Sequence, residues 1–287
     1  MIDGIRGLAI VNMVLFHFLY DVFILYGRQP DWYDRTGTFL WQQGICWTFI
    51  LISGMVWHFG KKGSLKRGLL LNFWGLVISA VTCVAEPQAA VWFGILNFIG
   101  CAVLLMIPLD RIFRRFPPVA GIVVSMVLFF LFRDVQNGVL GLASHPLAVL
   151  PDGLYQSRVL TPFGFPFPGF RSSDYFPILP WFFLFSAGYF FFPILQKSQK
   201  LQDVFSVRIP VLSKLGTWSL WIYLIHPLVI VVVRGIAKAT GTTAFFVTNN
   251  FIHFLTVSAV SALTALPVLW ILNRKDLIHV FQKPRLD

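Results

Sequence analysis

Residues 5–27 read IRGLAIVNMVLFHFLYDVFILYG, an apolar run interrupted by a few polar side chains. From about Gly7 to Leu25 the run is long enough to cross a membrane, since a helix needs roughly 20 apolar residues to span the hydrocarbon core. It contains His17 and Asp21 and lacks a small-residue cleavage site, which is not typical of a secretory signal peptide. We therefore predict a first membrane-spanning helix that is retained in the protein.

The same pattern continues along the chain. Of its 287 residues, 57% are hydrophobic and 12% are charged, whereas soluble domains are roughly half apolar and a quarter charged. Further apolar segments lie at about 39–59, 68–84, 89–107, 113–133, 176–195, 212–234 and 250–272. The sequence therefore predicts an all-α integral membrane protein, a bundle of about eight transmembrane helices that forms a single domain over residues 1–287.

The fifth apolar segment and the connection that follows it differ from the others in length. The clean part of the fifth segment, Val119 to Phe132, is short for a span, so we expect it to borrow residues 113–118 or to lie partly outside the membrane. The connection at about 134–175 is long and rich in Pro, Gly and Phe. A loop of this length and composition predicts either an outer lid or acceptor platform, or a packed interfacial loop.

The formal net charge of +11 is explained by where the cations lie. If the N-terminus is cytoplasmic, sixteen Lys and Arg residues fall on the cytoplasmic side and seven on the other. The positive-inside rule then predicts that both termini are cytoplasmic. We predict no nucleic-acid partner, because no basic stripe with interleaved aromatic residues remains.

Three cysteines lie within apolar runs, and the histidines are far apart along the chain. Neither set has the spacing of metal ligands, so we predict no metal and no disulfide.

One face of the first helix carries its polar residues. Arg6 and His17 are eleven residues apart, which returns to within about 20° of the same face, some 16 Å further along the axis. Asp3 and Asp21 fall on that face too. An acid one turn from a histidine can orient the ring and stabilise the imidazolium, as a general base requires. The alternative is that His17 and Asp21 only form hydrogen bonds with neighbouring helices.

Asp3-Gly-Ile-Arg-Gly-Leu-Ala-Ile, followed by His17, resembles the opening of bacterial membrane proteins that are similar to the catalytic domain of heparan-α-glucosaminide N-acetyltransferase. The Arg-x10-His spacing is shared with wider relatives, the acyltransferase family 3 proteins. Five further stretches fit this family: LISG (51–54), RGLL (67–70) with Ile78-Ser79 and Thr82, WFGILNFIG (92–100), FPILPW (176–181) with Gly188-Tyr189, and LGTWSLWIYLIHP (215–227). The chain departs from the pattern at Asn97, where we expect a histidine. It also begins only two residues before Asp3, which is shorter than the family pattern leads us to expect.

The resemblance implies a transmembrane acyltransferase of the bacterial inner (plasma) membrane, with several passes. The donor would be cytoplasmic acetyl-CoA or another acyl-CoA, and the acceptor an amine or hydroxyl of an extracytoplasmic sugar or glycan. His17, with Asp21, would act as general base. The cations that suit the phosphates of the donor are Arg6, Lys61, Lys62 and Arg67. The alternative for Arg6 is that it only sets the orientation of the helix and is held by Asp3. The side chains expected to contact the substrate are Asn97, Trp181 and His226. The alternatives are that Trp181 is an interface anchor or a core residue and that His226 is a buried histidine that only forms hydrogen bonds.

A different class of protein fits the polar face as well. His17 and Asp21 could form the proton relay of a proton-coupled transporter. The two hypotheses differ in whether acyl-CoA is consumed.

Overall fold

A computed structural model of the chain describes residues 2–20, 23, 30–85, 87, 90–206, 209–226 and 239–241. The chain divides into two compact units, the first made of residues 1–48 and 207–287 and the second of residues 49–206. The predicted eighth segment and the later part of the seventh lie outside the described residues. The single domain stays a prediction.

Both units are mainly helical, as the composition predicts. Within the described residues, five segments are long and apolar enough to cross a membrane: Ile2–Tyr20, Thr36–Val84, Ile95–Phe113, Pro118–Asn137 and Ile178–Lys197. The second of these has 49 residues and contains two of the predicted segments. It consists of helix α2 (Thr36–Val56), a 3-10 stretch (Trp57–Gly63) and helix α3 (Ser64–Ala85). The total of about eight spans and the cytoplasmic termini stay predictions.

In the first unit, helix α1 (Ile2–Tyr20) packs closely against the segment that begins at residue 210. A Cβ atom on Gly7 would lie 1.9 Å from the backbone oxygen of Leu212, and one on Gly216 would lie 1.7 Å from the backbone oxygen of Asp3. Glycines at these points let the two backbones touch, which is a common way for helices to associate in membranes. The glycines therefore fix the position of residues 209–226 against α1.

The second unit contains α3, α4 (Ile95–Phe113), α5 (Pro118–Leu131), α6 (Ile178–Lys197) and the short α7 (Gln199–Ser206). The helices pack mainly as the pairs α3 with α4 and α5 with α6. Residues 49–56 of α2 also meet α6 through glycines. A Cβ on Gly54 would lie 2.0 Å from the oxygen of Phe185, and one on Gly188 would lie 2.1 Å from the oxygen of Leu51. Small residues again set the closest contacts.

The fourth and fifth helices differ from the predicted boundaries. Helix α4 begins at Ile95, about six residues later than expected, because the Asp174 carboxylate accepts a hydrogen bond from the Ile95 N–H at 3.1 Å. It also runs on to Phe113 and so includes Asp110. The span of the fifth helix is extended at its C-terminal end, through turns that reach Asn137. We predicted an extension at its N-terminal end. The helix begins at Pro118, so the alternative in which it borrows residues 113–118 is wrong. The other alternative, that it lies partly outside the membrane, stays a prediction.

The long connection between α5 and α6 is structured. It holds an antiparallel hairpin of β1 (Val139–Leu142) and β2 (His145–Val149), which departs from the all-α expectation. Gly138 and Gly141, with φ of 83° and 91°, allow the chain to turn before and within the first strand.

Tyrosine hydroxyls fasten the same connection. Tyr155 donates to the carbonyl oxygen of Val135, and Tyr175 donates to that of Thr161. Burial raises the pKa of both phenols, because the phenolate would lose its hydration, so they stay protonated donors at neutral pH. Both tyrosines thus contribute to the internal packing of the connection. Its role as a lid or platform stays a prediction.

Candidate active site

The polar face of α1 begins with an ion pair. The guanidinium of Arg6 lies 3.1 Å from the Asp3 carboxylate, and both side chains keep partial exposure. The helix continues without a break to Tyr20, so His17 lies about 16 Å along the axis from Arg6, on the same face. Asp21 lies outside the described residues, and its pairing with His17 stays a prediction.

His17 meets a second histidine, His226. Their ring centroids are 5.0 Å apart and the ring planes differ by 42°. His17 lies ten residues after Gly7, and His226 lies ten residues after Gly216. A Cβ on Gly7 would lie 3.1 Å from the Gly216 nitrogen, so the two backbones contact each other at these glycines. Each histidine follows this contact by the same number of residues. The close glycine contact of the first unit therefore aligns the histidines.

The protonation of His226 follows from its neighbours. Its Nδ1 lies 2.7 Å from the carbonyl oxygen of Tyr223 and 3.3 Å from that of Ile222. Carbonyl oxygens only accept hydrogen bonds, so Nδ1 carries a proton and donates it. In the neutral ring the remaining nitrogen, Nε2, is then the one that can accept a proton. His226 is 8% exposed, and its backbone partners hold this tautomer in place.

Two tryptophans pack against Phe16, the residue that precedes His17. The ring of Phe16 packs against Trp32 and Trp41, with centroids 5.3 and 5.4 Å away. Trp41 donates through Nε1 to the Asn12 side chain at 3.0 Å. The residue before His17 is therefore fixed by packing, which limits how far the imidazole can move.

The basic residues predicted to hold the donor lie in the second unit, with the exception of Arg6. Lys61 forms an ion pair with Asp110, and Arg114 pairs with the same carboxylate. Arg67 packs its guanidinium against Gly60, where a Cβ would lie 1.9 Å from it. Lys62 follows Lys61 and is exposed. The structure thus brings Lys61 together with Arg114, a cation that the sequence analysis treated as an orientation signal alone.

Asp110 is the functional candidate that the sequence analysis missed. It is 2% exposed, although hydropathy placed it in a connection between two spans. The available signal was its position four residues before Arg114, which puts acid and base on one helical face.

The two further residues predicted to contact the substrate have partners within the protein. Asn97 is 5% exposed and donates to the Asn72 carbonyl oxygen across α3 and α4 at 3.3 Å. Trp181 is also 5% exposed and packs on Phe176, with centroids 4.9 Å apart. Both residues lie in the second unit, whereas the histidine pair lies in the first, and their contact with the substrate stays a prediction.

Metal binding gains no support from the part of the chain that the structure describes. There, no group of three His, Cys, Asp or Glu side chains lies close enough to hold an ion, and none of the three cysteines is in a disulfide. The prediction of no metal is left as it stands.

Comparison with known protein families gives a match over most of the chain. The profile of the family described as "Heparan-alpha-glucosaminide N-acetyltransferase, catalytic" matches residues 1–228, which include α1 and both histidines of the pair. Neither curated proteins nor solved structures give a significant match.

Proposed function

The chain belongs to the family of the heparan-alpha-glucosaminide N-acetyltransferase catalytic domain, and from that membership we propose that it transfers an acetyl group from acetyl-CoA to an extracytoplasmic sugar or glycan, with His17 as general base. The family is one of transferases, and the apolar helices are those of a multi-pass membrane protein. The donor, the acceptor and the role of each residue are the proposed part.

The observation that carries the proposal is the pairing of His17 with His226 inside the matched region. Ionisable side chains at membrane depth are costly and are usually retained for function. Two imidazoles that touch, one with its tautomer fixed by a carbonyl, provide a proton acceptor and a polar neighbour that can orient an acceptor group. We therefore assign the first contact with the acceptor to His226.

The proposed reaction is a direct transfer. The acceptor nitrogen or oxygen attacks the thioester carbonyl of acetyl-CoA and forms a new bond to the acetyl carbon, while His17 takes the acceptor proton. The bond between carbon and sulfur then breaks, and the thiolate of coenzyme A leaves with the electron pair. The imidazolium of His17 returns its proton to that thiolate, so the enzyme ends in its starting state.

Arg6 and the basic residues around Lys61 are proposed to bind the phosphates of the donor. Arg6 keeps donors beyond its single bond to Asp3, because a guanidinium has five N–H groups. The planar fork of arginine matches phosphate oxygens. The role of Asp21 as the partner of His17 belongs to the proposal as well.

The test is acetyl transfer by purified protein in detergent, with acetyl-CoA as donor and glucosamine as the probe acceptor. Removal of a general base costs about 100-fold or more in rate, so we expect His17→Ala to lose at least that much while keeping its thermal midpoint. His145→Gln is the matched control, because His145 lies in the exposed strand β2. Unimpaired transfer by His17→Ala would remove the assignment.

The histidine pair also suits a proton relay, which keeps the transporter hypothesis as the second candidate. Proton-driven uptake of a solute into liposomes that contain no acyl-CoA would favour it. Consumption of acetyl-CoA that depends on His17 would favour the transferase.

A further inference from the structure

Asp110 lies at the centre of a cluster that joins three separate parts of the second unit. The cluster consists of Asp110 and Arg114 at the end of α4, Lys61 in the 3-10 stretch before α3, and Tyr189 in α6. One carboxylate oxygen of Asp110 faces both cations, and the other accepts a hydrogen bond from the Tyr189 hydroxyl at 2.8 Å. A buried charge is tolerated when it is paired and hydrogen-bonded in this way.

The 3-10 stretch that carries Lys61 is held by contacts on either side of it. Trp57 donates through Nε1 to the Val103 carbonyl oxygen at 3.3 Å. His58 stacks on Tyr189, with centroids 4.2 Å apart, and its Nε2 lies 3.1 Å from the Tyr189 carbonyl oxygen. The Lys61 ammonium lies 5.4 Å from the Trp57 ring centroid. Lys61 therefore has a defined place beside Asp110 instead of a freely sampled one.

The Lys61 and Arg114 side chains are buried where they contact Asp110 and are exposed elsewhere. The Lys61 side chain is 42% exposed and that of Arg114 is 57% exposed, against 2% for Asp110. Lysine has three donors and arginine five, so both keep unused N–H groups on the exposed side. Two cations around one acid leave a net charge of +1. Lys62 and Arg115, the next residues along the chain, add to it.

We propose that Asp110 is a positioning residue that holds Lys61 and Arg114 together as a phosphate-binding site. Two cations this close repel each other in the absence of an acid, and the shared carboxylate removes that repulsion while leaving their outer donors free for an anion. Phosphate suits the pair, because arginine offers a planar fork and lysine a point charge. The proposal rests on the proposed function only in naming coenzyme A as the carrier of the phosphates.

The measurement is the dissociation constant of coenzyme A for the purified protein in nanodiscs of phosphatidylcholine. We expect Arg114→Gln to raise it by about tenfold, the loss of one charge-assisted hydrogen bond, and Arg114→Lys to recover part of that loss. Lys200→Gln removes the same charge from an exposed site on α7 and serves as the matched control. If Arg114→Gln and Lys200→Gln bind coenzyme A with equal affinity, and also bind short-chain phosphatidylglycerol with equal affinity, the site is overturned.

Asp110→Asn separates positioning from simple charge. If Asp110 only neutralises its neighbours, Asp110→Asn removes a negative charge, the net positive charge of the site rises, and coenzyme A binds more tightly. If it positions them, the affinity falls although the net charge has risen. We expect the affinity to fall, and tighter or unchanged binding would refute positioning. Tyr189→Phe, which removes only the hydroxyl donor to Asp110, is the second variant should Asp110→Asn not fold, and we expect a smaller shift in the same direction.

A parallel titration with short-chain phosphatidylglycerol distinguishes the source of the phosphate. If Arg114→Gln weakens binding of this lipid and not of coenzyme A, the phosphate site stands with a lipid headgroup as its ligand, and the donor half of the proposed function loses its support. Failure of the wild-type protein to transfer acetyl groups would refute the proposed function without changing either titration. The two proposals therefore fail in different experiments.

Discussion

A histidine beside a second histidine of fixed tautomer has more defined chemistry than a lone histidine in an apolar helix. The sequence points to His17 because a titratable group within an apolar run is conspicuous, whereas the family resemblance points to His226. Neither predicts that they touch, since nothing in the spacing of residues so far apart along the chain reports a contact. Asp110 went unrecognised for the opposite reason, because it lies near the end of an apolar run, where an acid normally signals a loop.

The contact between the rings predicts that their effects on turnover are coupled. If His226 orients the acceptor for proton removal by His17, His226→Gln slows transfer, but it adds little to the loss in His17→Ala. Groups that act as a unit give such non-additive effects. The measurement is kcat for the two single variants and the double variant. Effects that multiply in the double variant would show that the histidines act independently.

At the scale of elements, the stretches that carry the family resemblance contain the glycines at which backbones touch. Gly54 and Gly188 mark the contact between α2 and α6 in the second unit, while Gly7 and Gly216 mark the contact with α1 in the first. These stretches can be found in the sequence, but their structural role cannot. A glycine in an apolar run is compatible with close helix packing, but it does not show which helix packs there. The extended end of α5 and the hairpin were not predicted, since both depend on turns beyond the apolar runs.

Substitution of these glycines is predicted to separate the helices. A Cβ on Gly216 would meet the Asp3 backbone at 1.7 Å, and backbone atoms cannot give way as a flexible side chain does. We expect Gly216→Ala to lower the thermal midpoint and, by moving His226, to reduce acetyl transfer.

Gly44→Ala in α2 is the matched control, since a Cβ there meets nothing within 4 Å. Alanine is the better helix former by about 1 kcal/mol in soluble helices, so this variant should be unchanged or more stable. Equal midpoints for Gly216→Ala and Gly44→Ala would contradict the close packing of residues 209–226 on α1.

At the scale of the whole molecule, hydropathy predicted the membrane class and most of the described helices correctly. The periodicity of apolar residues and the length of an apolar run are local properties, so a single sequence is enough to locate a membrane span to within several residues. Orientation rests on the unequal distribution of basic residues between the two sides. The proposed function requires this predicted orientation, because its donor is cytoplasmic and its acceptor is extracytoplasmic.

The central claim, acetyl transfer across the bilayer at His17, is tested most directly in proteoliposomes with glucosamine trapped inside and acetyl-CoA supplied outside. Molecules inserted with the donor side outward are predicted to form N-acetylglucosamine in the lumen while free coenzyme A appears outside. Liposomes with His17→Ala should form neither at a comparable rate, and those with His145→Gln should match the wild type. Acetyl-CoA left unconsumed by the wild type, or luminal product at the wild-type rate from His17→Ala, would contradict the account.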